Sequence, residues 1–380
     1  RRTGFNIKNV REGEEKRIMK RKRVFLSLLM VFLLIASVMV VAGCSKEKEV
    51  DTTPTTRTIT DMAGREVTIP AEIKSLATVG PGPVLNSLIF AVGEGDKIVN
   101  GLPEFARTER WKYQHKFAPH IKDRPVVQSA SFDPNVEELL KLKPDVVFTM
   151  EARGSVEQTA KVMSNAGLPT ICLVWTEPEE VKQTIELIGK VLNQEKTAKE
   201  YCKYFDDTVA RVNKAVDTIS EEKRPRVLHC NVKSMSSPHT ITEWWISQAG
   251  GNSVTKEARI TENIEFSMEQ LLKWNPEVVV VSSPDQVDLM YKDSRFKDIS
   301  AVKNKRIYPT PVGAHIWGNR TAEQPLMLLW AAKTFHPESF KDVNLEAELI
   351  SFYKKFYKYT MPEEEAKEIL NGGPVVTGQK

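Results

Sequence analysis

The chain has 380 residues, 41% of them hydrophobic and 27% charged, a size that exceeds what one core serves and that predicts two globular lobes rather than disorder. Its formal net charge is only +4, and many of the basic residues fall within the first 23 positions. The remainder is near neutral, which argues against nucleic acid as a partner.

The N-terminal region carries the most specific local signal. Residues 1–18 read as sequence upstream of the true start, and residues 19–43 as a signal peptide. Lys20 to Arg23 is a basic cluster, Val24 to Val41 is an apolar run, and Val41-Ala42-Gly43-Cys44 ends it with small residues before a cysteine. The run approaches the ~20 residues of a membrane span, so an uncleaved anchor is the alternative. Small residues meeting a cysteine favour processing, and the box resembles that of bacterial lipoproteins, with Val41 where leucine is more usual. Cleavage there would leave Cys44 as a diacylated N-terminus, and two acyl chains hold a protein to a membrane where one barely does. Residues 44–57 are then a polar tether.

A first lobe is expected over residues 58–176. Ile59 to Ile69 reads as a hairpin turning at Asp61-Met62-Ala63-Gly64-Arg65. Strand signals at Ile73–Val79, Asp145–Met150 and Thr170–Val174 alternate with helical ones at Pro83–Ala91, Val136–Lys141 and Val156–Ala166. Strands separated by helices predict a parallel sheet. A helical region, 177–220, follows: Pro178 to Leu192, an interruption at Asn193, and a charged amphipathic helix from Glu195 to Ile219. The second lobe, 221–371, resumes the alternation with strands at Arg226–Asn231, Val278–Ser282 and Arg306–Pro309 and a helix at Ala322–Thr334, before a tail at 372–380. Cys172, Cys202 and Cys230 show no close-spaced pair, which predicts buried thiols rather than a disulfide or a zinc site.

One element occurs twice. Glu137-Glu138-Leu139-Leu140-Lys141-Leu142-Lys143-Pro144-Asp145-Val146-Val147 matches Glu269-Gln270-Leu271-Leu272-Lys273-Trp274-Asn275-Pro276-Glu277-Val278-Val279. Each copy reads as a short helix, a proline stop and a buried strand, and the long helix between the copies favours two similar lobes about a pseudo-twofold.

With the hairpin motif, the paired corners, the single long helix and Asn304-Lys305-Arg306-Ile307-Tyr308 before the last strand, residues from about Arg57 to Leu370 resemble the class III periplasmic binding proteins. The resemblance implies an α/β fold, two lobes with central, mostly parallel sheets joined by one long helix. It also implies delivery of a ligand to the permease dimer of an ABC importer with its ATPase. Glu137 and Glu269 fall where that family places one docking glutamate per lobe, although a carboxylate in a first helical turn also serves the helix dipole.

Ligands of open α/β sheets sit beyond the carboxyl ends of the strands. That places the candidates in Gly80-Pro81-Gly82-Pro83, at Arg153, at Trp175, near Trp244, and in the loop from Gly313 to Arg320 with His315, Trp317 and Arg320. Pro81 and Gly82 belong either to an anion-binding loop or to a tight turn. Trp111 and Tyr113 stand in a polar, aromatic segment, Arg107 to Arg124, that either lines the cleft or covers the surface. The six histidines are scattered without ligand spacing, so no metal site of its own and no cofactor is expected. No nucleophile elbow or phosphate loop appears, and an enzyme is not expected. The expectation is therefore a monomeric, extracytoplasmic, lipid-anchored binder of a metal chelate. A ferric siderophore stands ahead of haem or a corrinoid, with direct capture of a metal ion or oxyanion, or a sensing lipoprotein, as alternatives.

Overall fold

The computed structural model describes residues 19, 55–150, 156–175 and 177–374. In chain order the folded region runs β1 (Thr56–Thr60), β2 (Glu66–Pro70), β3 (Leu76–Val79), α1 (Gly82–Ala91), α2 (Lys112–Phe117), α3 (Val136–Leu142), β4 (Val146–Met150), α4 (Val156–Asn165) and β5 (Thr170–Leu173). Next come α5 (Pro178–Val191), α6 (Glu195–Val216), β6 (Arg226–Cys230), β7 (Ser236–Ser237), α7 (Ile241–Gln248), β8 (Asn252–Ser253), β9 (Ile264–Glu265), α8 (Met268–Trp274) and β10 (Val278–Val281). The chain ends with α9 (Pro284–Lys292), α10 (Ser300–Lys303), β11 (Ile307–Pro309), α11 (Gln324–Phe335), α12 (Leu345–Phe356) and α13 (Glu363–Leu370).

Two parallel sheets organise this order. One is β3-β4-β5; the other is β11-β10-β6-β8. Their strands are short apolar runs buried on both faces, as parallel sheets require. Successive side chains point to opposite faces, so each strand divides its residues between two clusters. Val146 and Phe148 of β4, with Val278 and Val280 of β10, enter one large core that spans both sheets. Val147 faces a small cluster with Leu139, whereas Val279 and Val281 face another with Leu271. The 22-residue α6, about 33 Å long, lies on α5 and α11 and buries Tyr201, Phe205, Val212 and Val216 in the shared core.

The hairpin motif has a packing role. Asp61 Oδ2 accepts from Cys172 N at 3.0 Å and from Arg65 Nε at 2.9 Å, and Arg65 Nη2 donates to Thr170 O at 2.9 Å. This clamps the β1–β2 hairpin to the edge strand β5, covering an edge that would otherwise be open.

The repeated corner is a matched pair in three dimensions. Asn135 caps α3 by accepting from Glu138 N, and Ser267 caps α8 by accepting from Gln270 N. Both helices last seven residues and end on a left-handed residue, Lys143 at φ 50° and Asn275 at φ 40°. After each proline an acidic residue ties the corner to the neighbouring strand. Asp145 Oδ2 accepts from Ser75 N at 2.9 Å, and Glu277 Oε2 accepts from Arg226 N at 3.0 Å.

Candidate ligand cleft

Beyond the carboxyl ends of the strands, side chains from both halves of the chain meet. The segment around α2, which precedes β4, reaches toward the second sheet. Arg110 Nη2 donates to Ser282 O, just after β10, at 2.6 Å. Gln114 Nε2 donates to Ala314 O at 2.5 Å, and the Trp111 ring packs on the His315 imidazole with centroids 5.1 Å apart. Burial lowers the Arg110 guanidinium from its ordinary range, with Asp285 opposing the shift.

The loop after β11 is held from beneath by a buried carboxylate. Glu323 accepts from Ala314 N at 2.7 Å, from His315 N at 2.9 Å and from Thr321 Oγ1 at 3.0 Å, and also from the Tyr353 hydroxyl. Gly313 is required here, because a Cβ would overlap both the Tyr353 hydroxyl and Glu323. So fixed, His315 is only 8% exposed. Burial drives its pKa down to about 3, assisted by His239 and Arg110 and opposed by the hydrogen bond to Ile316 O, so the imidazole is neutral at pH 7. Its Nδ1 lies 3.2 Å from that carbonyl, which can only accept, so the proton resides on Nδ1 and the lone pair on Nε2.

Arg320 is positioned by an acidic partner. Its Nη2 donates to both Glu262 oxygens at 2.6 and 2.8 Å and to Thr240 Oγ1 at 2.7 Å, while Nη1 lies 3.5 Å from His239 Nδ1. Burial raises the Glu262 carboxyl, but hydrogen bonds and charge from Arg320 and hydrogen bonds from Thr240 outweigh it and hold the group at about 2. The Glu262 loop is pinned by the buried Arg259, which bonds Glu243, Ser237 Oγ and Glu262 O. His239 itself sits at φ 52°, a strained left-handed position that turns its ring toward this pair.

The remaining candidates lie elsewhere. Trp317 is fully buried in the core, and Trp175 is 2% exposed there. Tyr113 is buried with its hydroxyl on Glu365 O of α13, and Trp244 packs on Phe205 of α6. Pro81 and Gly82 belong to a tight turn and not to an anion cradle: Gly82 N donates to Gly80 O, and Gly80 N donates to Gln128. Proline contributes no N–H, so this loop has no backbone donor left to offer. Arg153 and Cys44 lie outside the described residues. Arg110, His239 and Glu262 are the cleft residues that the candidate set lacks. Arg110 carried a signal in its aromatic, basic segment and His239 in its loop after a strand, whereas Glu262 had none, since its partner is 58 residues away.

Among the described residues no group of three or more histidine, cysteine or carboxylate side chains is disposed to hold a metal ion, and no helix is long and apolar enough to cross a membrane. Cys172 and Cys230 are buried and Cys202 is partly buried.

Residues 85–312, more than half of the chain, match the periplasmic binding protein family. The chain belongs to that family. Its members here are substrate-binding proteins of ABC transporters, which carry ligands rather than cofactors and are not enzymes. The molybdate-binding protein MolA of Haemophilus influenzae is 27% identical over 334 residues, covering 82% of this chain and 93% of MolA. The molybdate-bound MolA structure superposes with a TM-score of 0.70 at 26% identity, covering 80% of this chain and 99% of that one. An uncharacterised ABC transporter substrate-binding lipoprotein of Bacillus subtilis, YvrC, is 26% identical over 82% of this chain and 97% of its own length. A periplasmic solute-binding protein of Veillonella parvula has a TM-score of 0.74 at 27% identity, covering 83% and 97% of the two chains.

Proposed function

We propose that this binding protein is anchored through a diacylated Cys44 and delivers a compact, metal-centred oxyanion of the molybdate or tungstate kind to its permease. The observation that carries the reading is the neutral His315, its lone pair on Nε2, set beside the partly buried Arg110, with Arg320 and His239 adjoining. Guanidinium groups pair with anionic oxygens, and an imidazole lone pair suits a metal centre or a protonated oxygen. Size points the same way. Trp111, His315 and Arg320 retain only 8–9% exposure, and the lining from the two halves already touches. Of the four candidate tryptophans only Trp111 packs against the cleft loop, so a flat macrocycle such as haem or a corrinoid gains little stacking. MolA, whose ligand is molybdate, supports the choice, and the lipoprotein YvrC supports the anchor.

An anionic ferric siderophore is the second reading, since an open position on its iron would also take the His315 lone pair. One preparation tests both: protein extracted from membranes with detergent, its mass checked for the lipid at Cys44, then titrated with molybdate, tungstate, sulfate, a ferric catecholate and haemin. Molybdate or tungstate at 100 times its dissociation constant should add about 2.7 kcal/mol to stability. Arg110→Ala should weaken that binding at least about tenfold. Stabilisation by the ferric catecholate alone transfers the reading to the siderophore class, and release of an unlipidated protein overturns the anchor.

Glu137 and Glu269 are, on this reading, the posts that dock on the permease. Both are exposed at the second position of matched helices.

A further inference from the structure

Two of the eight large hydrophobic side chains exposed among the described residues are Leu140 at 46% and Leu272 at 44%. They occupy the same register in α3 and α8, three residues after Glu137 and Glu269 respectively. Residues three apart share one helix face, so each corner presents a carboxylate and a leucine side by side. The preceding leucine in each copy, Leu139 or Leu271, is completely buried and holds the helix on its sheet. The exposed leucine therefore contributes little to seating the helix. At both corners the backbone is equally fixed, by a side-chain cap at one end and a left-handed residue at the other.

We infer that Leu140 and Leu272 form the apolar half of the docking surface, each entering a pocket on one of two equivalent permease subunits beside the cation that meets its glutamate. The inference rests on the docking role of Glu137 and Glu269. Two matched patches, one per half of the chain, suit a partner that offers the same pocket twice. An anionic membrane surface gains little from them, because the charges of each corner balance: Glu137 and Glu138 against Lys141 and Lys143 in one case, Glu269 against Lys273 in the other. The division of labour is physical. The glutamates steer encounter over a Debye length, and Glu137 can exchange its exposed 2.9 Å contact with Lys141 for a partner's cation at little cost. Desolvated leucines slow dissociation, and their contribution does not fade with salt.

The test compares two double variants of the full chain against the permease–ATPase complex reconstituted in nanodiscs, at 50 mM and 500 mM NaCl. Both should stay close to the parent melting temperature, which is checked before binding is compared, since all four side chains are exposed. Leu140→Ser with Leu272→Ser should weaken association at least about tenfold at both salt concentrations, whereas Glu137→Gln with Glu269→Gln should weaken it mainly at low salt. If the leucine variant binds within twofold of the parent while the glutamate variant is weakened, the inference falls and the docking posts stand. If neither variant is weakened, both fall. A parent that self-associates until the leucines are replaced, with permease binding unchanged, assigns the patches to a second copy of this chain and overturns the inference.

Discussion

Arg320 shows how a residue's neighbours decide its chemistry. A guanidinium in a loop between strand and helix suggests an anion's partner, yet here it is already bound by Glu262 and Thr240. An incoming anion must compete with a carboxylate held at about 2, so Arg110, which donates to the Ser282 carbonyl, is the stronger candidate for direct contact. The histidines supply a pH-dependent signature. Burial holds His229 and His315 at about 3 in the folded protein, against 6.5 ordinarily. Between those values the unfolded chain binds protons that the folded one refuses, so stability is fully present above about pH 6.5 and is lost as pH falls through the window. Glu323 acts with the opposite sign, because burial raises its carboxyl, but this contribution is common to parent and variant. His315→Gln should therefore flatten the decline in melting temperature between pH 7 and pH 5. Equal slopes for parent and variant would show that the imidazole is not buried neutral.

At the scale of elements, the two corners were legible in the chain because each is local: cap, short helix, proline and apolar strand follow one another within sixteen residues of sequence. Their stability should be local too. Asn135→Ala and Ser267→Ala each remove a side-chain cap and should cost about 1 kcal/mol in urea denaturation. Lys143→Gly should stabilise by up to about 1 kcal/mol, since a lysine at φ 50° bears a strain that glycine lacks, whereas Asn275→Gly should gain less because asparagine tolerates that region. A destabilised Lys143→Gly would indicate that the lysine side chain serves a contact that outweighs the strain. Elements that lacked such local grammar were not legible. The segment Arg107 to Arg124 reads as a polar, aromatic stretch, and it folds as α2 and short 3₁₀ turns whose apolar partners, Tyr353, Tyr357 and Tyr359 around Phe117, come from the far end of the chain.

For the whole molecule, the long helix expected from periodicity is present as α6, but it is not the sole tie between the two sheets. Lys112 pairs with Glu368 at 2.7 Å, Lys116 with Glu365 at 3.2 Å, and Gln114 bridges Pro83 O and Ala314 O. With these ties added to a shared core, ligand should produce only a small closure: the radius of gyration of free and loaded protein in small-angle scattering should agree to within about 1 Å. A larger contraction would mean that these contacts open in solution. The sequence by itself determined the alternation of strands and helices, the matched corners and the family, because hydrophobic period, caps and proline stops act over a few residues. Only the tertiary structure decided which side chains share the candidate cleft. It sent Trp317, Trp175 and Tyr113 into the interior, satisfied the Gly80–Pro83 turn from within, and brought Arg110, His239, Glu262, His315 and Arg320 toward one cleft. Burial and charge pairing join residues from 58 to more than 170 positions apart, and no local pattern in the chain records which of them will meet.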